Sequence, residues 1–283
     1  MTSAESCPLG KLDKLLLATD LSEYSEGAVR EAIRIARQCS SQLYVITVFE
    51  MNVEYETFGI SITQELEKEA AKYFASVIKK AVGIELSCEA ILCGRGEPYR
   101  LIVREAEKKR VDMIIIGRRG RGGLEKVLMG STAAKVTGHA PCNVLLVPKA
   151  AQLQFRNILI ATDGSGNASA AVSEALAIAK SCGSHVLVLS SYFLDNELEE
   201  AKSIVNKVIK MAQDEGVDFE ALTTRGKPYD AIVETAGGRA VDLIVMGAYG
   251  KTGLRKFLMG SSTEKVVGLA GCAVLVVKHG PAG

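Results

Sequence analysis

The sequence predicts an α/β protein of two tandem doubly wound domains, each a five-stranded parallel sheet with four intervening helices. Three observations carry that prediction. The same motifs occur twice in the same order: KLLLATDLS at 14–22 meets NILIATDGS at 157–165, RGEPY at 95–99 meets RGKPY at 225–229, VDMIIIG at 111–117 meets VDLIVMG at 241–247, and CNVLLVPK at 142–149 meets CAVLVVKH at 272–279. Such repetition marks a duplicated domain, divided here as 1–150 and 151–283. The apolar runs LLLA, LYVITV, IIIG and NVLLV are short, rich in Val, Ile and Leu, and nearly continuous, as strands covered on both faces are. Between them, apolar residues recur at three- and four-residue spacing among charges, the period of a helix with one buried face.

Along the first copy, LLLA is the first strand and ATD its carboxyl end, followed by a helix over EGAVREAIRIARQCS at 26–40. LYVITV is the second strand, and QELEKEAAKYFASVIKKAV at 64–82 the second helix. Pro98 opens the third helix, LIVREAEKKR, because a helix start leaves unpaired the N–H that proline lacks. IIIG is the fourth strand, STAAKVTG a helix start, and NVLLV the last strand. Asp20 and Asp163 stand 143 residues apart but Gly96 and Gly226 only 130, so the first copy carries thirteen extra residues, mostly around 52–64. That insertion holds Tyr55 and Phe58 and reads either as a lid over the first site or as a docking loop.

A chain of 283 residues in about two domains buries a sufficient core without disulfides or metals. Hydrophobic residues at 48% and charged residues at 24% are ordinary for a globular protein, and a net charge of +1 gives no support to nucleic-acid binding. The seven cysteines are scattered without CxxC spacing, so reduced thiols are expected, with Cys142 and Cys272 as small buried hydrophobes before their strands. No run reaches about 18 consecutive apolar residues and the start lacks a basic stretch followed by an apolar one, which predicts no membrane span and a cytoplasmic location.

GRRGRGGLEKVLMGS at 117–131 returns as GAYGKTGLRKFLMGS at 247–261, identical at nine of fifteen positions. The shared pattern is Gly117, Gly120, Gly130, Ser131 against Gly247, Gly250, Gly260, Ser261. One reading is a turn and a helix start capped by Ser or Thr. The other is a phosphate cradle, where missing Cβ atoms admit a ligand and open helix N–H groups meet an anion. It is neither a Walker A loop nor a dinucleotide GxGxxG. Arg118, Arg119 and Arg121 are either a solvated face or donors of charge-assisted hydrogen bonds to phosphate. Asp20 and Asp163 are either helix caps or ligands, and Ser22 and Ser165 are available to cap in their place.

With ATD at the strand end, G-x-P before the third helix and the glycine–serine pattern in both halves, the chain resembles the universal stress protein family in its tandem, ATP-binding form. The resemblance covers nearly the whole chain. It implies an adenine nucleotide alpha hydrolase-like fold that binds ATP or AMP, with or without Mg²⁺, and a stress-response regulator or sensor. It places adenine near Thr19, Asp20 and Val48, the ribose and phosphate path along Gly117, Arg119 and Gly120, and phosphate oxygens at Gly130, Ser131 and Thr132. The matching set is Thr162, Asp163, Gly247, Tyr249, Gly250, Gly260, Ser261 and Ser262, with Ser191 in place of Val48. Arg118, Arg119 and Arg121 against Ala248, Tyr249 and Lys251 predict unequal sites, the first tolerating a fuller phosphate chain.

The resemblance also implies that the last strands of the two copies, 143–149 and 273–279, meet in an internal pseudo-dimer, with a further homodimer. No catalytic residue or metal site is assigned, because neither glycine segment holds a histidine and His139, His185 and His279 lie elsewhere. The enzymatic alternative is slow ATP hydrolysis or phosphotransfer. The third class is a protein-interaction scaffold with vestigial nucleotide sites.

Overall fold

A computed structural model of the chain describes residues 7–49, 68, 70–77, 87–94, 96–120, 129–250 and 259–278. The first half runs β1 (Lys14–Ala18), α1 (Glu26–Gln38), β2 (Gln42–Phe49), a helical stretch α2 over 70–77, β3 (Cys88–Gly94), α3 (Pro98–Lys109), β4 (Met113–Gly117), α4 (Ser131–His139) and β5 (Asn143–Val147). The second runs β6 (Asn157–Ala161), α5 (Gly166–Cys182), β7 (His185–Tyr192), α6 (Leu198–Asp214), β8 (Asp218–Arg225), α7 (Pro228–Gly238), β9 (Leu243–Gly247), α8 (Ser261–Leu269) and β10 (Ala273–Val277). Pro98 and Pro228 stand at the starts of α3 and α7, as their missing N–H requires. Short 3₁₀ turns precede α1 and α6. The insertion around 52–64, with Tyr55 and Phe58, lies outside the described residues, as does His279.

The ten strands form one sheet in the order β3-β2-β1-β4-β5-β10-β9-β6-β7-β8. All pairs within a half are parallel, and β5 meets β10 antiparallel, with Leu145 opposite Leu275. The internal pseudo-dimer is thus built through the last strands, where each half covers the other's apolar edge. Within each half the order 3-2-1-4-5 reverses between the first and fourth strands, which opens a crevice beyond their carboxyl ends.

The strands read as continuous apolar runs because both faces are covered. Leu15 and Leu17 pack on one side with α1, α2, α5 and α6, and Leu16 and Ala18 on the other with α3, α4, α7 and α8. Both clusters cross the β5–β10 seam, so the halves share one core on each face. The edge strands β3 and β8 contain no fully buried residue and mix charge with apolar residues, which hides them from a search for apolar runs.

Three local expectations are corrected. Cys7 and Cys39 are joined in a disulfide, their Cα atoms 4.4 Å apart, because the N-terminal segment returns to the carboxyl end of α1, a proximity that a separation of 32 residues conceals. Ser165 caps α5 by accepting Ala168 N–H at 3.3 Å, but Ser22 makes no cap and instead donates its hydroxyl to Asp20. Neither α4 nor α8 is capped by Ser or Thr: their caps are Gly130 and Gly260, with no side-chain hydrogen bond. Cys142 and Cys272, expected as buried small hydrophobes, are partly buried free thiols packed against the core, and burial pushes each thiol up to about 12.

Candidate functional site

Each crevice opens into a cavity, about 520 Å³ in the first half and 450 Å³ in the second, within the range that holds a small molecule. Thr19, Asp20 and Val48 from the strand ends, Gly117, Arg119 and Gly120 from the turn after β4, and Gly130, Ser131 and Thr132 at the start of α4 all line the first cavity. Thr162, Asp163, Gly247, Tyr249, Gly250, Gly260, Ser261 and Ser262 line the second, with Ser191 two residues beyond Leu189 as Val48 is beyond Ile46. Pairing of Ala18 with Ile46 and of Ala161 with Leu189 fixes this correspondence.

The strand-end threonines hold the turn that follows. Thr19 N–H donates to the Ile46 carbonyl at 3.0 Å, its hydroxyl meets Ser25 Oγ at 2.8 Å, and Leu21 N–H donates back to it at 3.1 Å. This turn puts Leu21 at φ 65, where the second half has Gly164 at φ 76. A left-handed leucine is costly, and its packing against the core offsets that cost.

Asp20 accepts Ser22 N–H at 3.1 Å and Ser22 Oγ–H at 2.7 Å through Oδ1. Its Oδ2 sits where a Cβ on Gly120 would come within 2.6 Å, and Asp163 and Gly250 repeat the same distance. Gly117 is bare for a different reason: a Cβ there would meet the Arg119 and Tyr24 carbonyls at 3.2 Å, and on Gly247 it would meet Asn167 at 3.0 Å. The first two glycines of each copy therefore let the chain approach its own carboxylate and its own backbone, in addition to lining the cavity. Gly123 lies outside the described residues, as do Arg121 and Lys251.

The floor at the far end is a bare helix start. Gly130 N–H donates to the Arg118 carbonyl at 2.9 Å, which fixes the chain entering α4, and the N–H groups of its first turn point toward the crevice end with no side-chain cap. Beside it, Arg119 lines the cavity and its Nε is buried without a hydrogen-bond partner among the described residues. Arg118 Nε is buried without a partner in the same way, so what sets Arg119 apart is its place in the cavity lining, where a guanidinium suits an anionic acceptor. In the second half Tyr249 takes that place, and burial raises its phenol pKa.

Arg118 does not join the site. Its Nη1 donates to the Ala270 carbonyl at the end of α8 in the other half, and its guanidinium pKa is lowered by burial and by Arg119. From the opposite direction, Lys278 Nζ donates to the Gly138 carbonyl in α4 at 3.0 Å, and Tyr249 Oη approaches the same oxygen at 3.5 Å. Each half thus supplies a donor to the carboxyl end of the other's glycine-capped helix, where the helix dipole favours a cation.

Sequence reasoning did not identify the side walls. Pro98 and Ile102 of α3, with Ile46 below, form an apolar wall of the first cavity, and Pro228, Ile232 and Leu189 form that of the second. The repeated G-x-P motif was the available signal, since it sets where α3 and α7 begin. Also unforeseen was Glu264 in the first turn of α8, where α4 has no acidic residue.

Among the described residues, no group of three His, Cys, Asp or Glu side chains is placed to hold a metal ion, and no helix is long and apolar enough to cross a membrane. His139 Nδ1 lies 2.8 Å from the Lys135 carbonyl and His185 Nδ1 2.8 Å from Asp218 Oδ2, both outside the cavities.

Comparison with known proteins matches residues 11–148 and 154–278 each to the model of the universal stress protein family. A universal stress protein of Methanocaldococcus jannaschii is 39% identical over 140 residues, covering 44% of this chain and 82% of its own. One from Mycolicibacterium smegmatis is 24% identical over 290 residues, 93% of this chain and 96% of its own. The crystal structure of a universal stress protein from Archaeoglobus fulgidus superposes with a TM-score of 0.78 at 21% identity, covering 96% of this chain and 98% of that one, which shows a shared fold.

Proposed function

The chain belongs to the universal stress protein family, and we propose that it is an adenine-nucleotide-binding regulator or sensor in the stress response, with one site in each half. The observation that carries this reading is the pairing, in the lining of the first cavity, of an uncapped helix start at Gly130 with the guanidinium of Arg119. Both ask for an anion. The other end is apolar and polar by turns, as a purine requires: Val48, Ile46 and Ile102 offer contact to a flat ring, and Thr19 and Asp20 border it with polar atoms.

A bound nucleotide supplies the base, the ribose and the phosphate charge. Thr19, Asp20 and Val48 take the adenine; Gly117, Arg119 and Gly120 flank the ribose and phosphate path; Gly130, Ser131 and Thr132 hold phosphate oxygens through N–H and hydroxyl donors. Thr162, Asp163, Gly247, Tyr249, Gly250, Gly260, Ser261 and Ser262 do the same in the second half. Because Tyr249 brings no charge to the second cavity and Glu264 adds an opposing one at the start of α8, both sites take an adenine nucleotide but the first favours the longer phosphate chain of ATP over AMP more strongly than the second. Any Mg²⁺ is carried by the phosphates. The proposal extends to a homodimer in the cytoplasm, which light scattering of the full chain and cell fractionation test.

Mass spectrometry of small molecules released on denaturing the purified protein tests the reading directly. A copurified adenine nucleotide is expected. Its absence, together with failure of millimolar ATP and AMP to raise the melting temperature, leaves a scaffold with vestigial sites. Single-turnover release of labelled phosphate at saturating ATP, abolished in Asp20→Asn, overturns the regulator in favour of a hydrolase or phosphotransferase.

A further inference from the structure

At the ends of α1 and α5 remote from the crevices, the segment that carries the Cys7–Cys39 disulfide also contacts Ser181 and Cys182 of the second half. Cys39 follows α1 directly and is bonded to Cys7. Cys182 is the last residue of α5, exposed and unbonded. Cys39 and Cys182 are the same position in the two copies: Ser41 N–H closes on the Ala36 carbonyl and Ser184 N–H on that of Ala179, each pair bracketing its cysteine identically.

The segment carrying Cys7 touches both. Its sulfur is on Cys39, while its carbonyl accepts Ser181 Oγ–H at 3.2 Å and the next carbonyl, of Pro8, lies 4.0 Å from Cys182 Sγ. Leu9 and Leu12, buried in the shared core, fix the rest of the strap, so Cys7 is held between the two helix ends. Those ends lie side by side. Arg34, on the last turns of α1, stacks over Phe155 of the second half at 5.4 Å and is charged close enough to Cys182 to oppose the burial that raises its thiol pKa.

We propose that Cys7, Cys39 and Cys182 form a thiol–disulfide relay in which Cys7 passes its bond from Cys39 of the first half to Cys182 of the second, turning a staple within one half into a staple between halves. The Cys182 thiolate attacks Cys7 Sγ, the Cys7–Cys39 bond breaks, and Cys39 leaves as a thiolate that takes up the proton Cys182 gave. One disulfide is present before and after, so the exchange consumes neither oxidant nor reductant. The inference is independent of nucleotide binding.

The test is non-reducing peptide mapping of the full chain, acid-quenched and alkylated, after incubation in a glutathione redox buffer. Wild type is expected to yield both Cys7–Cys39 and Cys7–Cys182 linked peptides, Cys39→Ser only Cys7–Cys182, and Cys182→Ser only Cys7–Cys39. Alkylation of Cys182 drops sharply from wild type to Cys39→Ser. A Cys182 fully alkylated in both proteins overturns the relay, as does a wild type in which all three thiols stay free across the buffer series. The wild-type mapping stands by itself should Cys39→Ser fail to fold.

Discussion

In the first half the helix facing the crevice starts Ser131-Thr132-Ala133-Ala134; in the second it starts Ser261-Ser262-Thr263-Glu264. The cap is glycine in both, the strand-end Thr-Asp pair is the same, and the glycine beside each carboxylate is bare to the same 2.6 Å. What differs is charge. Arg119 lines the first cavity, while the uncharged Tyr249 stands at the matching place of the second, and Glu264, exposed in the first turn of α8 and outside the second cavity's lining, stands where the first half has Ala134. Duplication kept the backbone that shapes a site and varied the side chains that set its potential.

The largest effect should come from filling the shared backbone. Gly120→Val puts a Cβ on Asp20 Oδ2 and branches into the cavity, and Gly250→Val does the same to Asp163. At about 1–3 kcal/mol for such overpacking, with the carboxylate displaced as well, affinity at the substituted site falls about 100-fold. Titration calorimetry is then expected to lose one of two ATP equivalents in each variant. Loss of both from one substitution would break the picture of separate sites.

Next in size is the removal of charge. Arg119→Ala should weaken ATP at the first site by roughly 1.5–3 kcal/mol, about 10- to 100-fold, and AMP by less, since a hydrogen bond to a charged group is lost. Calorimetry of the Gly250→Val protein with and without this change reads it. A smaller gain is expected from Glu264→Gln: relief at a helix start of about 0.3–1 kcal/mol tightens ATP at the second site about 2- to 5-fold, and added salt shrinks the difference. An unchanged affinity removes Glu264 from the comparison.

The seam offers a third asymmetry, since Lys278 stands where the first half has Pro148. Burial lowers its pKa to about 8, so between pH 8 and its unfolded value near 10.4 the unfolded chain binds the extra proton. Stability attributable to Lys278 therefore rises with pH across that window and is penalised below it. Cys142 and Cys272, raised to about 12, act in the opposite sense above pH 9. The measurable quantity is the difference in unfolding free energy between wild type and Lys278→Met, which should move in favour of wild type from pH 8 to 10.5; a flat difference refutes the assignment.

The layered sheet was legible because its inner strands are apolar on both faces and each motif occurs twice, and the same duplication located the crevices. Strands β3 and β8 escaped because an exposed edge carries no apolar run, as Cys88–Gly94 illustrates. Arg118 was misread because charge alone does not say which way a side chain turns: its neighbour Arg119 faces the cavity, and Arg118 caps a helix in the other half. The Cys7–Cys39 bond was invisible for the reason that any contact across a fold is, with no spacing rule to bring an N-terminal strap to a helix end. Glu264 was in plain view, but its meaning depends on α8 starting at Ser261 with a glycine cap.

The central claim is that two sites of one backbone design differ in the phosphate chain they accept. Calorimetric titration of ATP and AMP into full-length Gly250→Val, which leaves the first site, and Gly120→Val, which leaves the second, measures it. The ratio of ATP to AMP affinity is expected to be at least about 10-fold higher at the first site, the value of one charge-assisted hydrogen bond. Equal ratios at the two sites would contradict the account.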